Sequence, residues 1–257
     1  MTILIGPSGI GSPAKKGLDK IAKAGMKCAE VAFTHSVYMD NKMAKDIGNY
    51  AKKLNIKLSV HAPYYINLAS DKKSVITSSK KRILQSAERA NFLNAKYVVF
   101  HPGYYGKREK DEVFDMVEFA VNEMQEIIED KEWNVKLAPE VTGKLSQFGD
   151  LDELYELHKK TRCAVCVDFA HLKAKQKGKI NFRPVFDTMK RFRFSPLHAH
   201  FSGIDWSDKG ERRHIPTDMN DVKEILNWCR KYRLNIALIN EAPDNFGDAL
   251  KALKLLG

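Results

Sequence analysis

The chain alternates between short apolar runs and longer segments in which apolar residues recur every three or four positions. Short apolar runs bounded by polar residues indicate buried strands, and the three-to-four recurrence indicates amphipathic helices. Eight strand-like runs are predicted, at residues 3–6, 28–33, 57–61, 97–101, 135–140, 164–168, 197–200 and 236–241. Segments with the helical recurrence lie between them, at residues 18–24, 43–54, 74–91, 113–128, 151–158, 222–232 and 247–255.

Strands that alternate with helices pair in parallel through crossover connections. Eight such units close into a (β/α)8 barrel, and the length of 257 residues matches the roughly 250 typical of that fold. We therefore expect an α/β protein in which residues 1–257 form a single TIM-barrel domain. The pattern is weakest after the sixth strand, where the stretch KAKQKGK is expected to be a loop and Arg183-Pro184 lies near the start of the next helix.

Residues at the helix ends predict where several helices start and stop. Asp71 and Asp111 are expected to cap the helices after the third and fourth strands, and Asp150 with Glu153 is expected to form a capping box. Gly25 is expected just beyond the first helix, where a left-handed residue commonly ends a helix.

Composition excludes two classes of chain. Apolar residues make up 44% and charged residues 29%, and no apolar run is long enough to cross a membrane, so neither disorder nor a membrane span is supported. The amino terminus lacks the features of a secretory signal, and the four cysteines are expected to be buried thiols in a reducing compartment. We expect a monomeric cytoplasmic protein.

The net charge is +11, from 43 basic and 32 acidic residues. A strongly basic surface favours a polyanionic partner such as nucleic acid. The alternative is a lysine-rich protein that has no such partner.

Six of the predicted strands end in a residue type that ligates metals: His61, His101, Glu140, Asp168, His200 and Glu241. Any one of them could be a polar strand end facing solvent. In a TIM barrel, however, the carboxyl ends of all strands meet at one mouth, where active sites lie. The six residues are therefore expected to form one metal pocket, with Glu140 at its centre because Pro139 ends the strand directly before it.

His171, in the string DFAH, and His214, in GERRHIP, add two donors, whereas His35, His158 and His198 have no evident partners and are not expected to be ligands. A mixed histidine and carboxylate set suits catalytic Zn²⁺, Mn²⁺ or Fe²⁺ and differs from a thiolate-rich structural zinc site. Eight donors are too many for one ion and imply two or three, an arrangement that supports in-line displacement at phosphorus.

Eight strings occur in the same order as in endonuclease IV, the zinc-dependent apurinic/apyrimidinic endonuclease family: FTH, HAPYYINL, HPG, EVTGK, VDFAH, HFSG, RRH and NEAP. The chain resembles that family over nearly its whole length. The resemblance implies that His61 and His101 hold a first zinc and that Glu140 bridges it to a second, completed by Asp168, His200 and Glu241. It also implies that His171 and His214 hold a third ion, and that Glu140 orients the hydroxide that attacks the phosphate 5′ to an abasic site in double-stranded DNA.

The sequence departs from that family at two places. Arg212 stands where the family has an aspartate ligand two residues before its last histidine, so a third ion requires the adjacent Glu211 to supply the carboxylate. The loop after the second strand lacks the family's minor-groove arginine and offers Tyr38 instead, while Tyr64 matches the family's intercalating tyrosine and Tyr65 follows it. We expect all three tyrosines to contact DNA.

Two other hypotheses about the function remain open. Single-metal sugar isomerases and epimerases of the xylose-isomerase-like group use Glu, Asp, His and Glu at strand ends, a pattern that Glu140, Asp168, His200 and Glu241 also satisfy. A DNA-binding barrel that has lost catalysis is the third reading, because of Arg212. The remaining histidines, His61, His101, His171 and His214, favour the endonuclease, since one ion does not need them.

Overall fold

The computed structural model describes all 257 residues, and eight of its twelve strands form the wall of a barrel. The strands are β1 (Ile3–Pro7), β2 (Cys28–Ala32), β3 (Lys57–His61), β4 (Tyr97–Phe100), β5 (Gly103–Tyr104), β6 (Lys136–Pro139), β7 (Gln147–Phe148), β8 (Cys166–Asp168), β9 (Leu197–Phe201), β10 (Gly203–Ser207), β11 (Gly210–Ile215) and β12 (Ile236–Asn240). The helices are α1 (Ala14–Lys23), α2 (Asn41–Lys53), α3 (Lys73–Phe92), α4 (Lys110–Asp130), α5 (Leu151–Thr161), α6 (Phe169–Lys175), α7 (Phe182–Arg191), α8 (Met219–Lys231) and α9 (Asn245–Lys254).

The barrel wall consists of two parallel four-stranded sheets, in the orders β1-β12-β9-β8 and β2-β3-β4-β6. Two isolated parallel bridges join them, Ser8 with Glu30 at one seam and Glu140 with Cys166 at the other. At the second seam the Val141 amide donates to the Cys166 carbonyl at 2.9 Å. The ring is therefore closed, and the predicted (β/α)8 fold is confirmed.

The structure adds elements that the apolar pattern did not predict. Two antiparallel pairs, β5 with β7 and β10 with β11, lie beyond the carboxyl ends of the barrel strands. The short helix α6 begins directly after β8 and extends to Lys175, so the expectation that the whole KAKQKGK stretch is a loop is wrong for its first residues. Asp168 starts this helix because its side chain accepts a hydrogen bond from the His171 amide at 2.6 Å.

Two of the predicted helix caps are wrong. Lys72 and Glu109 occupy the N-cap positions of α3 and α4, without side-chain capping bonds, while Asp111 lies inside the first turn of α4. Asp71 instead pairs with Arg108 at 3.0 Å. The Asp150–Glu153 capping box of α5 and the left-handed Gly25 after α1 are as predicted.

The main hydrophobic core lies between the barrel wall and the surrounding helices and contains 60 buried residues. All four cysteines are buried and unpaired, as expected. No helix in the structure is both long enough and apolar enough to pass through a membrane. The apolar packing leaves the mouth of the barrel, at the carboxyl ends of the strands, as the region where buried polar side chains gather.

Candidate metal centre

The metal-ligand residue types that end the barrel strands do converge on one mouth of the barrel. His61, His101 and Glu241 border a cavity of about 470 Å³ that also reaches Glu211 and His214 of the β10–β11 pair. Four groups of donors lie close enough together to hold an ion, and three of them consist only of histidines and carboxylates: His61, His101 and Glu140; Glu140, Asp168, His200 and Glu241; and His171, Glu211 and His214. The fourth, Cys166, His198 and His200, includes a thiol. All eight donors predicted from the sequence belong to these groups, and so does Glu211.

The first group forms around one oxygen of Glu140. Glu140 Oε2 lies 3.1 Å from His61 Nε2 and 3.0 Å from His101 Nε2. His61 Nδ1 lies 2.7 Å from the Ala62 carbonyl oxygen, which can only accept, so the proton of a neutral His61 is on Nδ1. Its Nε2 lone pair then faces a carboxylate oxygen, an arrangement that is stable when a cation or a proton lies between them.

The second group forms around the other oxygen of Glu140. His200 Nδ1 lies 2.9 Å from Glu140 Oε1, 3.4 Å from Glu241 Oε2 and 3.9 Å from Asp168 Oδ2. Glu140 thus faces both groups, one with each oxygen, which is the geometry of a bridging ligand. It is fully buried, as are Asp168 and His200.

The third group includes a carboxylate that a β-bulge turns toward the site. In the β10–β11 pair the register shifts so that Trp206 pairs with Glu211 and Asp205 pairs with Arg213, which leaves Arg212 as the extra residue. Arg212 is exposed. Glu211 takes the inward direction, with Oε2 at 3.4 Å from His171 Nε2 and Oε1 at 4.0 Å from His214 Nε2.

In two histidines of these groups, His171 and His214, the ring nitrogen Nδ1 has a hydrogen-bond partner that is not one of the donors. His171 Nδ1 donates to the Val141 carbonyl at 2.8 Å, and His214 Nδ1 contacts the Ser202 hydroxyl at 2.8 Å. Partners of this kind fix the tautomer and the ring orientation of metal-ligating histidines. The ring nitrogen on the other side is then directed toward the donor cluster.

The electrostatics of the cluster are dominated by carboxylates that only histidines offset, since no lysine or arginine pairs with Glu140, Asp168, Glu211 or Glu241. Burial raises the pKa of the Glu140 carboxyl, but His200 and His101 lower it more, so that it lies well below its usual value. Burial also raises the pKa of Asp168, and the neighbouring Glu140 adds to that rise.

Two histidines of the cluster, His61 and His171, have raised pKa values when no ion is bound. Burial lowers the pKa of His61, but Glu140 and more distant carboxylates raise it to about 9. Burial likewise lowers the pKa of His171, while Asp168 and Glu140 raise it to about 9. In this state protons occupy the positions that divalent cations would take.

Buried polar atoms without hydrogen-bond partners also indicate that the donor groups fit a metal ion. Several buried polar atoms have no hydrogen-bond partner, among them Asp168 Oδ2 and His171 Nε2, and both belong to the donor groups. Unpartnered buried polar atoms are costly, and an ion is one way to satisfy them. The donor chemistry of these three groups, imidazole with carboxylate and no thiolate, suits a divalent metal ion.

The sequence did not predict the buried carboxylate beneath this site. Glu30 lies in the middle of β2 and is fully buried, with Oε2 at 3.0 Å from His198 Nε2 and 2.8 Å from the Ser59 hydroxyl that donates to it. His198 therefore does have a partner. His158 also has one, because its Nδ1 lies 2.6 Å from the Cys163 carbonyl oxygen. An acidic residue inside the apolar run CAEVA was the available signal for Glu30.

The predicted DNA-contacting tyrosines are exposed but differ in position. Tyr64 borders the cavity together with Tyr104, and Tyr65 lies beside both along a neighbouring groove. Tyr38 packs edge-on against Phe33 and does not border the cavity. Their exposed fractions are similar, at 60% for Tyr64, 62% for Tyr65 and 60% for Tyr38, so position alone distinguishes them.

Relatives with similar sequences fall into two groups. An uncharacterized protein of Methanocaldococcus jannaschii is 32% identical over 265 aligned residues, which cover 98% of this chain and 96% of that protein. A probable endonuclease 4 of Mycoplasmopsis pulmonis is 34% identical over 144 residues, which cover 52% of this chain and 48% of that protein. The chain thus spans about half the length of the endonuclease relative.

Solved structures similar to this barrel include both an epimerase-like protein and a nuclease. A D-tagatose 3-epimerase-like protein aligns with a TM-score of 0.78 and 21% identity over 100% of this chain and 96% of that one. Endonuclease IV from Thermus thermophilus aligns with a TM-score of 0.72 and 15% identity over 100% of this chain and 99% of that one. At these identities the likeness shows the fold alone. The profile of the xylose isomerase-like TIM barrel family matches residues 18–254, and the chain belongs to this family.

Proposed function

We propose that this protein is a DNA-repair endonuclease that hydrolyses the phosphodiester bond 5′ to abasic sites with a cluster of two or three divalent metal ions. Zn²⁺ is the metal we expect first, and Mn²⁺ is the alternative. The observation that carries the proposal is the set of three adjoining histidine and carboxylate donor groups at one mouth of the barrel, two of which share Glu140. A site with nine donors holds more than one ion, and multinuclear sites are suited to displacement at phosphorus.

Each donor group has a separate part in the proposed reaction. When bound, the ions supply a nucleophilic water of lowered pKa and stabilise the charge that develops on the phosphate. Glu140 faces the first two groups, one with each oxygen, so it would hold ions of both groups and help to orient the attacking water. Glu211, His171 and His214 extend the cluster toward the β10–β11 pair, where the phosphate would be clamped.

Side chains at the rim of the cavity suit a nucleic-acid substrate. Lys144 is the only lysine or arginine that borders the cavity, and it offers a positive charge to a phosphodiester oxygen. Tyr64 and Tyr104, which both border the cavity, could stack in the gap that a missing base leaves in a duplex. Tyr65 extends this aromatic edge along the neighbouring groove.

The net charge does not carry the proposal. Eight of the nine helices have basic residues in their last turn, where they interact favourably with the helix dipole. The helix ends that precede barrel strands lie on the face opposite the donor cluster. Much of the excess positive charge thus has a structural explanation that does not require DNA.

The second candidate function is a single-metal sugar isomerase or epimerase. The group of Glu140, Asp168, His200 and Glu241 would suffice for the one ion of such an enzyme. The similarity to the D-tagatose 3-epimerase-like structure supports this alternative at the level of the fold. Five further donors favour the endonuclease, because a single ion leaves them without a role: His61, His101, His171, Glu211 and His214.

The decisive experiment incubates metal-loaded protein with a duplex that contains one abasic site, with an undamaged duplex as the control. We expect incision 5′ to the abasic site, leaving a 3′-hydroxyl, and no incision after chelation. Cutting that persists after complete removal of metal would refute the proposal. Epimerisation of ketohexoses without incision would favour the second candidate, and tight, salt-sensitive DNA binding without incision would indicate a barrel that has lost catalysis.

Glu140→Gln is the variant that tests the central residue. We expect near-complete loss of incision with DNA binding mostly retained, because Glu140 is fully buried and lies beneath the binding surface. Glu224→Gln, an exposed position on α8, is the matched control and should cut at the wild-type rate. A Glu140→Gln protein that cuts at a comparable rate would remove Glu140 from the proposed mechanism.

A further inference from the structure

Glu30 is a charged residue type buried at the centre of the barrel, where a carboxylate is costly unless it is paired. Its strand, β2, is separated from β9 by β1 and β12 around the wall, so the side chain crosses the barrel interior to reach His198 and His200. No lysine or arginine pairs with it. These histidines and Ser59 are its polar contacts.

The two oxygens of Glu30 have different surroundings. Oε2 is held in place by the Ser59 hydroxyl at 2.8 Å and by His198 Nε2 at 3.0 Å. Oε1 has no aligned hydrogen bond, but it lies 3.2 Å from His200 Nε2, which has none either. A small rotation of the imidazole would let His200 Nε2 donate a hydrogen bond to Glu30 Oε1, which would give both buried atoms a partner.

The opposite nitrogen of His200 faces the second donor group. If Nε2 carries the proton that Glu30 accepts, a neutral His200 must present its lone pair at Nδ1, toward Glu140, Asp168 and Glu241. For His61 and His171 a backbone carbonyl fixes the outer nitrogen. For His200 the only oxygen in the corresponding position is that of Glu30.

Cys166 does not compete for this role. Its thiol lies in the same interior layer as His198 and His200. A thiol is a weak hydrogen-bond acceptor compared with a carboxylate. Glu30 is the stronger acceptor available to His200.

We propose that Glu30 is a positioning residue, which holds His200 in the tautomer protonated on Nε2 so that Nδ1 ligates the metal ion shared with Glu140, Asp168 and Glu241. The inference rests on the metal-binding part of the proposed function and is independent of the substrate. Carboxylates that orient a ligating histidine in this way raise metal affinity by about 10- to 100-fold.

The test compares Glu30→Gln with Ser59→Ala. The glutamine amide can donate to Nε2 and so favour the wrong tautomer, whereas Ser59→Ala removes a contact to Oε2 and leaves Oε1 facing His200. Zinc affinity is measured by competition with a chelator of graded strength. We expect Glu30→Gln to lower the affinity for one tightly bound zinc ion about 10- to 100-fold. Ser59→Ala should change that affinity less than about threefold.

Two further readouts separate positioning from folding. In the zinc-loaded wild type, nitrogen-15 NMR should show the His200 proton on Nε2, and this signal should be lost or moved in Glu30→Gln. The absorption spectrum of cobalt-substituted protein should change in Glu30→Gln and not in Ser59→Ala. A folded Glu30→Gln protein with unchanged zinc affinity and an unchanged His200 signal would overturn this inference alone. A wild-type protein that binds no divalent metal would overturn it together with the proposed function.

Discussion

The metal-free protein should lose stability as the pH rises through the range in which His61 and His171 release their protons. The pKa of His61 and that of His171 are each raised from 6.5 to about 9 in the folded protein. A group whose pKa is raised by folding stabilises the folded state fully below the unfolded value, and that stabilisation disappears as the pH rises through the folded value. The loss should therefore occur between about pH 6.5 and pH 9.

The size of the loss follows from the shift. At about 1.4 kcal/mol per pH unit, the rise from 6.5 to about 9 corresponds to about 3 kcal/mol for one histidine. His61 and His171 both depend on Glu140, so their contributions are not independent, and we expect a total of at least about 3 kcal/mol. That is a large part of a typical free energy of unfolding of about 5 to 15 kcal/mol.

Urea unfolding of metal-free protein at steps from about pH 6 to pH 9, followed by circular dichroism, measures this effect. Buried thiols such as Cys163 also destabilise the fold at high pH, because burial raises the pKa of Cys163 from 9.0 to about 12, but this contribution is shared by the metal-free and the zinc-loaded protein. Zinc-loaded protein is the first control and should change little, since the metal replaces the protons. His61→Gln should reduce the pH dependence, whereas His35→Gln, outside the cluster, should not. Equal pH dependence of the metal-free and zinc-loaded proteins would refute the reasoning.

Three further perturbations test separate parts of the site. Gly143→Ala would place a Cβ within 2.6 Å of the Glu211 Cβ and 2.8 Å of His171 Cδ2, so we expect at least tenfold weaker binding of the ion in the third group, measured by metal titration, with the ion at His61 and His101 retained. Glu211→Ala should lower the number of tightly bound ions by one, while Arg212→Ala should not; a metal content near two per chain that both variants leave unchanged would count against Glu211 as a ligand. Tyr64→Ala should weaken binding to an abasic duplex about tenfold, as expected for loss of one stacking contact, and Tyr38→Ala should have a smaller effect in the same fluorescence-anisotropy titration.

The strands and their polar ends could be predicted from the sequence because each buried strand is a short apolar run that stops at a residue with a different chemistry. His61, His101 and Asp168 were recognisable for that reason, and their convergence follows from closing eight parallel strands into a ring. The helix caps were less predictable. An aspartate near a helix start can equally enter the first turn, as Asp111 does, or pair elsewhere, as Asp71 does with Arg108.

Two features of the site could not be predicted from local patterns in the sequence. Glu30 is in mid-strand, and its partner His200 is 170 residues away in the chain, so only the closed barrel brings the two together. The inward direction of Glu211 depends on the register of β10 against β11, and the shift at Asp205 and Trp206 leaves no signature in the residues of β11 themselves.

That register shift has a consequence for how relatives of this protein are recognised. If the family's aspartate ligand corresponds to Arg212, as the resemblance in the sequence implies, a comparison residue by residue would count this ligand as missing. The extra residue in β11 moves the acid one place along the chain while keeping it beside His171 in space. Searches for distant members of such families will therefore retain more true candidates if they compare the positions of side-chain donors in three dimensions than if they require a fixed spacing of letters.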